Sequence, residues 1–291
     1  MIQKAFILGA GMGTRLQPLT NVLPKPLVPI FHEPMVNYAL RHCQAAGITD
    51  FAINTHHIPQ AWTQAYPQDS FNGSPLHFFH EPLLLETGGG IRNIASFIDN
   101  DPILIYNGDI LTDIDISQLI ENHQASGNIA TLALRSSGQN CNVNISGNQV
   151  SDMRNLLGDT PGTHQFTGIY CIDPDILELI PDEEVTSIVP AFIQLIEQQK
   201  LGAVVLDDGD WFDIGNPDAY RAIHKHLRPK HTDAIHPNAI IDPEAHVDTD
   251  TCIIGPDAEI GAHAKLTNTI VWPSASVHAG ARHDGAIITG S

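Results

Sequence analysis

Hydrophobic residues in the first part of the chain occur in short runs that alternate with amphipathic segments. The runs contain almost no polar residues, which is typical of buried strands; they cover residues 5–8, 51–53, 103–106, 129–134 and 203–206. Apolar residues at helical spacing occupy residues 35–46, 58–66, 90–97, 116–124, 187–198 and 217–226. This alternation predicts an α/β fold with a mostly parallel sheet that helices cover on both faces.

The same order of elements predicts where a ligand binds. Parallel sheets bind their ligands beyond the carboxyl ends of the strands. The loops that directly follow Leu8, Tyr106 and Leu206 are therefore the candidate functional loops.

A different periodicity begins at residue 235. Aliphatic residues recur there at a spacing of six, with one residue gained after Val247 and one lost after Leu266: Ile235, Ile241, Val247, Ile254, Ile260, Leu266, Val271 and Val277. This hexapeptide repeat is typical of a parallel β-helix of about three coils, and the prolines within it exclude an ordinary helix. The alternative is a disordered, histidine-rich tail. We therefore expect two domains, residues 1–228 and 235–291, with a linker at residues 228–231.

The charge balance narrows the classes of partner. The chain of 291 residues carries 33 Asp and Glu against 14 Lys and Arg, a net charge of −19. Such an acidic surface repels phosphate backbones and anionic lipid headgroups, so we expect no nucleic-acid or membrane partner. The first residues lack the features of a signal peptide, and the four cysteines form no C-x-x-C pair. Both observations predict reduced thiols in a cytoplasmic protein.

The 16 histidines raise the question of a metal site. The pairs His56-His57 and His77/His80 are candidates for a metal cluster, but no H-E-x-x-H or comparable ligand spacing occurs. Separate histidines in loops and at strand ends are the alternative, and we favour it.

The strongest candidate for chemistry follows the first buried run. Residues 8–16 are LGAGMGTRL, and residues 24–27 are PKPL. Glycines directly after a strand let backbone N–H groups approach phosphate oxygens closely. Arg15 would offer a triphosphate a fork of donors, and Lys25 a point charge. No other lysine occurs between Lys25 and Lys200, so an acidic chain places scarce positive charge beside this loop.

Other glycine-rich motifs fit this segment less well. A dinucleotide-binding fingerprint runs G-x-G-x-x-G and opens a helix, whereas here the glycines run G-x-G-x-G and several prolines follow. The G-K-[ST] element of a P-loop is absent. A plain turn with structural glycines is the remaining alternative.

These motifs resemble those of the sugar-1-phosphate nucleotidyltransferases, whose fingerprint G-x-G-[ST]-R-L-x-P-L-T…P-K-P-L-x-P is present at residues 11–20 and 24–29. The resemblance continues through ETGGG at 86–90, NGD at 107–109, FTGI at 166–169 and WFDIG at 211–215. It implies a Rossmann-like catalytic domain that transfers a nucleotidyl group from a nucleoside triphosphate (NTP) to a sugar 1-phosphate and releases pyrophosphate. A left-handed β-helix is a common carboxy-terminal addition in this family.

The resemblance also implies catalytic roles for four residues. Arg15 and Lys25 match the pair that binds the triphosphate, and Asp109 and Asp213 match the two carboxylates that bind Mg²⁺, the expected cofactor. Asp109 also ends a buried run, which agrees with a place in the cleft. A turn or cap residue is the alternative for either aspartate.

The remaining matches concern the two substrates. The expected nucleotide-binding residues are Leu8, Gly9, Ala10, Gly11, Gly13, Thr14, Arg15, Lys25, Glu86, Gly88 and Asn107, and residues 88–90 match a loop whose backbone contacts the base. The expected sugar-binding residues are Gly108, Thr167 and Gly168. For the last two, a strand edge that needs small residues is the alternative.

One departure from the family concerns the sugar phosphate. Many members hold it with the lysine of a Glu-Lys-Pro element, which VSDMRN at residues 150–155 lacks. Arg154 is either its substitute or an exposed hairpin residue. The string LETGGG at residues 85–90 looks most like N-acetylmuramate-1-phosphate uridylyltransferases, and the repeat looks more like mannose-1-phosphate guanylyltransferases. We therefore expect guanylyl or uridylyl transfer.

Two further expectations concern activity and assembly. A catalytically inactive regulator that binds nucleotide sugar is the alternative to an enzyme; the presence of all four expected catalytic residues favours the enzyme. Residues 235–288 are expected to contribute no catalytic group. A short solenoid exposes backbone at its end, so we expect it to assemble the chain into a homo-oligomer, most simply a dimer. A repeat that folds onto its own catalytic domain in a monomer is the alternative.

Overall fold

The computed structural model describes residues 1–158, 161–230 and 233–290. The strands before the repeat are β1 (Lys4–Leu8), β2 (Pro29–Ile30), β3 (Glu33–Pro34), β4 (Asp50–Thr55), β5 (Ser70–Phe71), β6 (Ser74–His80), β7 (Ile103–Asn107), β8 (Ile110–Thr112), β9 (Ala130–Arg135), β10 (Cys141–Ser146), β11 (Gln149–Met153), β12 (His164–Ile172), β13 (Leu201–Val205) and β14 (Trp211–Asp213). The α-helices are α1 (Val36–Ala45), α2 (Gln60–Ala65), α3 (Glu86–Asn93), α4 (Ala95–Ile98), α5 (Ile116–Ser126), α6 (Val189–Glu197) and α7 (Pro217–Leu227).

The large sheet is mixed, which corrects the expectation of a mostly parallel one. Its strand order is β10-β11-β13-β9-β12-β7-β1-β4-β6-β5. The neighbours β7, β1, β4 and β6 run parallel, as do β13 and β9. However, β12 enters antiparallel between β7 and β9, and β10 and β11 add further antiparallel pairs. A strand that is buried on both faces shows a continuous apolar run whatever its direction, so the hydrophobic pattern did not reveal this reversal.

Helices cover both faces of this sheet, as expected for an α/β fold. Phe6, Leu132 and Tyr170 belong to one buried cluster together with apolar residues of α3, α4 and α6. Successive strand residues point to opposite faces. On the other face, His123 of α5 bonds through Nδ1 to the hydroxyl of Thr131 in β9, at 2.9 Å.

One predicted helix differs from the structure. The segment predicted as a single helix at residues 90–97 is divided at Ile94 into α3 and α4, and α3 already begins at Glu86. The glycine string that was predicted as a loop is therefore helical. Glycine is a poor helix former, but a Cβ added at Gly88 would lie 2.8 Å from the carbonyl oxygens of Thr186 and Ser187. Close packing of the 186–187 segment therefore requires glycine here and overrides its low helix propensity.

The boundaries of other helices follow local signals in the sequence. The side chain of Asp115 accepts a hydrogen bond from the Ser117 N–H at 3.0 Å and caps α5, which ends at Gly127 with φ of +65°. The side chain of Asn216 caps α7 by accepting from the N–H groups of Asp218 and Ala219. Both caps explain why these two helices begin where the apolar spacing predicted.

The strands beyond residue 235 form three short parallel sheets, which fit a short parallel β-helix. They are β15 (Ile240–Ile241), β16 (His246–Val247), β17 (Ile253–Ile254), β18 (Glu259–Ile260), β19 (Lys265–Thr267), β20 (Ile270–Val271), β21 (Ser276–Val277), β22 (Arg282–Asp284) and β23 (Ile287–Ile288). Successive coils pair as β15-β18-β21, β16-β19-β22 and β17-β20-β23. Ile260, Leu266 and Val271 of the middle coil are buried, as are Ile254 and Val277 of its neighbours, because the aliphatic residues of the repeat lie inside the coils. The left-handed sense of the β-helix stays a prediction.

The described residues group into two compact units whose limits differ from the expected domains. The first comprises Met1–Met12 and Val36–Asp213, and the second comprises Gly13–Met35 and Ile214–Ser291. Helix α7 and the segment that follows the glycine-rich loop thus belong with the repeat, because Tyr220 of α7 bonds to both Pro29 and Trp272. Within the predicted linker, His231 lies outside the described residues. Catalysis by residues 1–228 stays a prediction.

Two expectations from composition can be compared with the structure. All four cysteines are unpaired, and three of them, Cys43, Cys171 and Cys252, are buried, as expected for structural thiols. Among the helices of the described residues, none is both long enough and apolar enough to cross a membrane.

A half-buried histidine, His42, connects α1 to the end of β7. His42 Nε2 donates to the carbonyl of Ile114 at 2.8 Å, and His42 Nδ1 accepts from the Tyr106 hydroxyl at 3.1 Å. Burial lowers the pKa of His42, while the Ile114 carbonyl and the charges of Asp113 and Asp115 oppose this shift. Neutral imidazole is thus the form that the folded protein stabilises, with its proton on Nε2.

We expect the free energy of unfolding to fall as the pH drops below about 6.5, the ordinary pKa of histidine. The unfolded chain then binds a proton at His42 more readily than the folded protein does, so stability rises with pH across this window. Urea unfolding of the wild type and of His42→Gln at pH 5.5 and 7.5 measures the effect. The variant should show the smaller change with pH; an equal change in both proteins would contradict the assignment.

Candidate active site

The pairing of β1 with β7 brings two sequence motifs to one edge of the sheet. Leu8, the last residue of β1, lies opposite Asn107, the last residue of β7. The Gly108 N–H donates to the Leu8 carbonyl at 3.0 Å, so the turn that carries Asp109 begins beside the glycine-rich loop. The two motifs lie nearly 100 positions apart in the sequence, and both follow the carboxyl ends of parallel strands, where ligands bind.

The two aspartates expected to bind metal come from neighbouring strands. Asp213 ends β14 and pairs with Ile110 of β8, the residue directly after Asp109. Asp109 is half-buried and Asp213 is exposed. The backbone of Asp213 thus lies across from the residue that follows Asp109. Two carboxylates placed in this way suit a hard cation such as Mg²⁺, whose remaining ligands are water and phosphate oxygens.

Gly168 has a structural reason to be glycine. Its φ is +80°, and an added Cβ would lie 2.6 Å from Nδ2 of Asn107. The strand register of β12 also shifts at this point, between Phe166 and Tyr170. Glycine at position 168 therefore leaves room for the Asn107 side chain at the edge of the sheet. Its expected contact with the sugar stays a prediction.

The polar atoms of Thr167 face protein rather than open space. Its hydroxyl is fully buried and donates to the Ala133 carbonyl at 2.8 Å. Its own carbonyl accepts from Nε1 of Trp211 at 3.0 Å. Since Trp211 lies in β14 two residues before Asp213, Thr167 helps to hold the strand that carries this aspartate. Its expected contact with the sugar stays a prediction.

The first N–H groups of the glycine-rich loop are bound by a side chain that sequence reasoning missed. Oδ1 of Asn54, in β4, accepts from the N–H of Gly9 at 2.7 Å and of Ala10 at 3.3 Å. A Cβ at Gly9 would lie 2.7 Å from the Asn54 carbonyl, so this glycine allows the loop to lie close to β4. Gly11, in contrast, is exposed with open space around it. The N–H groups from Gly11 onward are thus better placed for phosphate than those of Gly9 and Ala10.

Asn54 is held in turn by a buried carboxylate, Glu81, which follows β6. Oε1 of Glu81 accepts from Asn54 Nδ2 at 2.7 Å, and Oε2 accepts from the Leu85 N–H at 3.1 Å. Only 1% of Glu81 is exposed. The network connects the glycine-rich loop to the segment that precedes α3. In the sequence, a lone Asn and a lone Glu after apolar runs gave no signal of this pairing.

The other residues expected at the nucleotide base lie in α3. Glu86 is exposed at the first position of the helix, and Gly88 is buried beneath residues 186–187. The Gly89 N–H donates to the Thr186 carbonyl at 3.0 Å. The backbone of this string is therefore largely engaged with protein. A nucleotide contact by Glu86 or Gly88 stays a prediction.

A cavity of about 590 Å³ lies beside this helix. Leu83, Gly89, Arg92 and Glu184 are among its lining residues. It includes neither Asp109 nor Asp213, so it is distinct from the edge of the sheet where the expected metal ligands lie.

In the second unit, the remainder of the glycine-rich motif forms tight turns. Gly13 has φ of +60°, and its carbonyl accepts from the Thr20 hydroxyl at 2.9 Å. A Cβ at Gly13 would lie 2.7 Å from Cγ2 of Thr20 and 3.2 Å from Cβ of Lys25, so the base of the Lys25 side chain packs against this turn. Thr14 and Arg15 are exposed in the turn that follows.

The histidines considered as a candidate metal cluster, with separate histidines favoured, have partners of their own. His56 bonds to the Glu81 carbonyl at 2.7 Å, and His77 bonds to Asp50 at 2.9 Å. His80 lies 3.5 Å from the Thr55 hydroxyl. Within the described residues, no group of three or more histidine, cysteine or acidic side chains is arranged to hold a metal ion.

Comparison with known proteins agrees with this geometry. A family model described as nucleotidyl transferase matches residues 4–141. A mannose-1-phosphate guanylyltransferase of Mycobacterium tuberculosis is 26% identical over 95% of this chain and 81% of its own length. A UTP–glucose-1-phosphate uridylyltransferase of Synechocystis is 28% identical over 76% of this chain, which spans only 62% of that relative.

A solved structure shares the fold. The UDP-glucose pyrophosphorylase of Acinetobacter baumannii superimposes with a TM-score of 0.70 over 80% of this chain and 95% of that protein. The two sequences are 20% identical, so this likeness concerns the fold alone. It supports the mixed α/β sheet described above.

The Asn54–Glu81 network makes a prediction about stability. Asn54→Asp places a second carboxylate against buried Glu81, and we expect it to lower the free energy of unfolding by about 3 kcal/mol, the scale of an uncompensated buried charge. Adding Glu81→Gln restores an amide opposite a carboxylate and should recover most of this loss. Urea unfolding measures all three proteins; a double variant no more stable than Asn54→Asp would contradict the pairing.

Gly168 makes a prediction about activity, with Gly147 as the matched control. Both residues have positive φ, but an added Cβ at Gly147 meets nothing within 4 Å. We expect Gly147→Ala and Gly168→Ala each to cost roughly 1 kcal/mol of backbone strain. Only Gly168→Ala should displace Asn107, and it should lower pyrophosphate release at least about tenfold, the scale of a small misplacement at a reaction centre. Equal activity in the two variants would count against this role.

Proposed function

We propose that this chain is an enzyme of the nucleotidyl transferase family, whose model matches residues 4–141, and that it makes a nucleotide sugar from an NTP and a sugar 1-phosphate. A phosphate oxygen of the sugar 1-phosphate attacks the α-phosphorus in line. The bond from the α-phosphorus to the bridging oxygen breaks, and pyrophosphate leaves with the electron pair. The reaction forms no covalent bond to the enzyme, so catalysis consists of positioning and charge stabilisation.

One structural observation carries this proposal. The register of β1 with β7 brings the start of the glycine-rich loop and the turn that carries Asp109 to one edge of the large sheet, and the register of β8 with β14 brings Asp213 beside that turn. A backbone that approaches phosphate closely and two carboxylates that suit a divalent cation are what nucleotidyl transfer requires.

We propose Mg²⁺ as the cofactor, held by Asp109 and Asp213. The donor set fits, since both are accessible carboxylates at adjacent backbone positions. Bound there, the ion would draw charge from the phosphate oxygens of the triphosphate. The β7–β8 turn and β14 set the backbone positions of these two aspartates.

The two basic residues are proposed to bind the triphosphate. Arg15, exposed in its turn, offers a planar fork of donors to phosphate oxygens. Lys25 begins a tight turn whose position is set by packing against Gly13, and its ammonium group would offset charge on the departing pyrophosphate. Because Arg15, Lys25, Asp109 and Asp213 are all present, we propose a working enzyme rather than an inactive regulator.

The choice of base is proposed from the names of the relatives. The Mycobacterium tuberculosis relative is named for guanylyl transfer and the Synechocystis relative for uridylyl transfer. We propose GTP or UTP as the donor over dTTP and ATP. Pyrophosphate release, measured for each of these four triphosphates with mannose, glucose and N-acetylmuramate 1-phosphates, tests which combination of NTP and sugar 1-phosphate the enzyme uses. Highest turnover with ATP or dTTP would contradict the proposal.

The homo-oligomer and the cytoplasmic location stay predictions.

The proposed roles of the aspartates give a kinetic prediction. Asp109→Asn and Asp213→Asn keep the side-chain shape but remove the negative charge that would hold a cation. Each should lower pyrophosphate release at least about a hundredfold, the scale of losing one preorganised electrostatic partner. Asp175 is exposed in a turn that is remote in sequence from both Asp109 and Asp213. The control Asp175→Asn should therefore keep full turnover. Near wild-type turnover of Asp109→Asn would refute the mechanism.

A further inference from the structure

The hairpin that follows Lys25 is held by two side chains of α7. This hairpin consists of β2 and β3. The Tyr220 hydroxyl donates to the Pro29 carbonyl at 2.6 Å, and Nε2 of His224 accepts from the Phe31 N–H at 3.0 Å. Both side chains are almost fully buried, at 0% and 2% exposure. They satisfy backbone polar atoms of the hairpin that would otherwise be buried at a cost.

The protonation states of these two side chains follow from their partners. Because Nε2 of His224 accepts a hydrogen bond from the Phe31 N–H, this nitrogen carries no proton. The imidazole is therefore neutral, and its Nδ1 donates to the Tyr220 carbonyl at 2.8 Å. Burial raises the pKa of Tyr220, so its hydroxyl remains a donor to Pro29 at any ordinary pH.

A residue of the repeat completes this arrangement. Nε1 of Trp272, directly after β20, donates to the Tyr220 hydroxyl at 2.9 Å, and Trp272 is only 3% exposed. The Trp272 backbone still pairs within the repeat, since its N–H donates to the Ile288 carbonyl at 2.8 Å. A buried indole N–H needs a partner, and here the partner is in α7 rather than in the β-helix.

The held hairpin is continuous with Lys25. The Val28 N–H donates to the Lys25 carbonyl at 3.2 Å, and the Val28 carbonyl accepts from the Met35 N–H at 3.1 Å. Val28 therefore closes both the turn that carries Lys25 and the base of the hairpin. Hydrogen bonds lead from Trp272 through Tyr220 to Pro29, and the peptide bond from Pro29 to Val28 continues this path to the turn.

We propose that Tyr220 and Trp272 are positioning residues for Lys25, so that the β-helix sets the affinity for the NTP without contributing any group that touches substrate. This inference rests on the proposed function, in which Lys25 binds the triphosphate. It gives the repeat a role in binding that is separate from assembly into an oligomer.

The test compares Tyr220→Phe and Trp272→Phe in the full chain. Tyr220→Phe removes only the hydroxyl and keeps the ring, whereas Trp272→Phe removes the indole N–H, keeps an aromatic ring and also loses packed volume. We expect the Kd for GTP or UTP, measured by titration calorimetry, to rise about tenfold for Tyr220→Phe, the scale of one buried hydrogen bond lost. Trp272→Phe, which leaves the bond to Pro29 intact, should raise it about threefold. KM for the NTP should rise in parallel.

A matched control separates positioning from loss of stability. Leu266 is also buried in the middle coil, and its side chain lies outside the path through Tyr220 and Pro29. Leu266→Ala should lower the thermal midpoint of unfolding at least as much as Trp272→Phe does, yet leave the Kd for the NTP unchanged. A rise in Kd for Leu266→Ala equal to that of Trp272→Phe would overturn the proposal.

A double variant tests whether the effect passes through Lys25. Lys25→Met alone should raise the Kd for the NTP, and adding Tyr220→Phe should then change it less than about twofold, because coupled residues are non-additive. The positioning role would be overturned if the fold-changes in Kd of Lys25→Met and Tyr220→Phe multiplied in the double variant. It would also be overturned if Tyr220→Phe alone left the Kd unchanged. If Lys25→Met binds NTP normally, the role of Lys25 fails and the positioning proposal with it. If no triphosphate and sugar pair releases pyrophosphate while the pattern of Kd values holds, the proposed function fails alone.

Discussion

The parallel pairing of β1 with β7 is the constraint on which the rest of the candidate site depends. It sets Leu8 opposite Asn107 and lets the Gly108 N–H reach the Leu8 carbonyl. Every hydrogen bond of this ladder holds the same register, so the loop after β1 and the turn after β7 leave the sheet side by side. Asp213 joins them because its strand pairs beside the same turn. A shift of one residue would turn the side chains of the strand to the opposite face.

The edge of the sheet is supported by polar groups that are themselves buried. Asn54 binds the first N–H groups of the glycine-rich loop, and Glu81 fixes the orientation of the Asn54 amide. A buried carboxylate is costly unless its oxygens accept hydrogen bonds, and here both oxygens do. In return the network specifies one arrangement of the loop, which an apolar core would not define as sharply.

In the second unit, side chains of the repeat make hydrogen bonds outside the β-helix. Its β-helix coils satisfy their own backbone through parallel pairing, which leaves side chains such as Trp272 available for contacts outside the coil. Tyr220 acts as both acceptor and donor between Trp272 and Pro29. The repeat and the segment after the glycine-rich loop are thus one folded unit, although more than 200 positions separate Pro29 from Trp272.

Hydrophobic spacing alone determined the kind of elements, the α/β layering and the presence of a repeat, because buried faces impose their period directly on the sequence. The motifs around Arg15, Lys25, Asp109 and Asp213 likewise carry the resemblance to the sugar-1-phosphate nucleotidyltransferases, because such motifs are local in the sequence. Tertiary structure decided what depends on partners distant in sequence. The direction of β12, the helical state of the ETGGG string and the Asn54–Glu81 pairing each follow from packing against a segment that no local pattern specifies. The two compact units were beyond sequence reasoning for the same reason, since the contacts of Tyr220 exist only once the chain has folded.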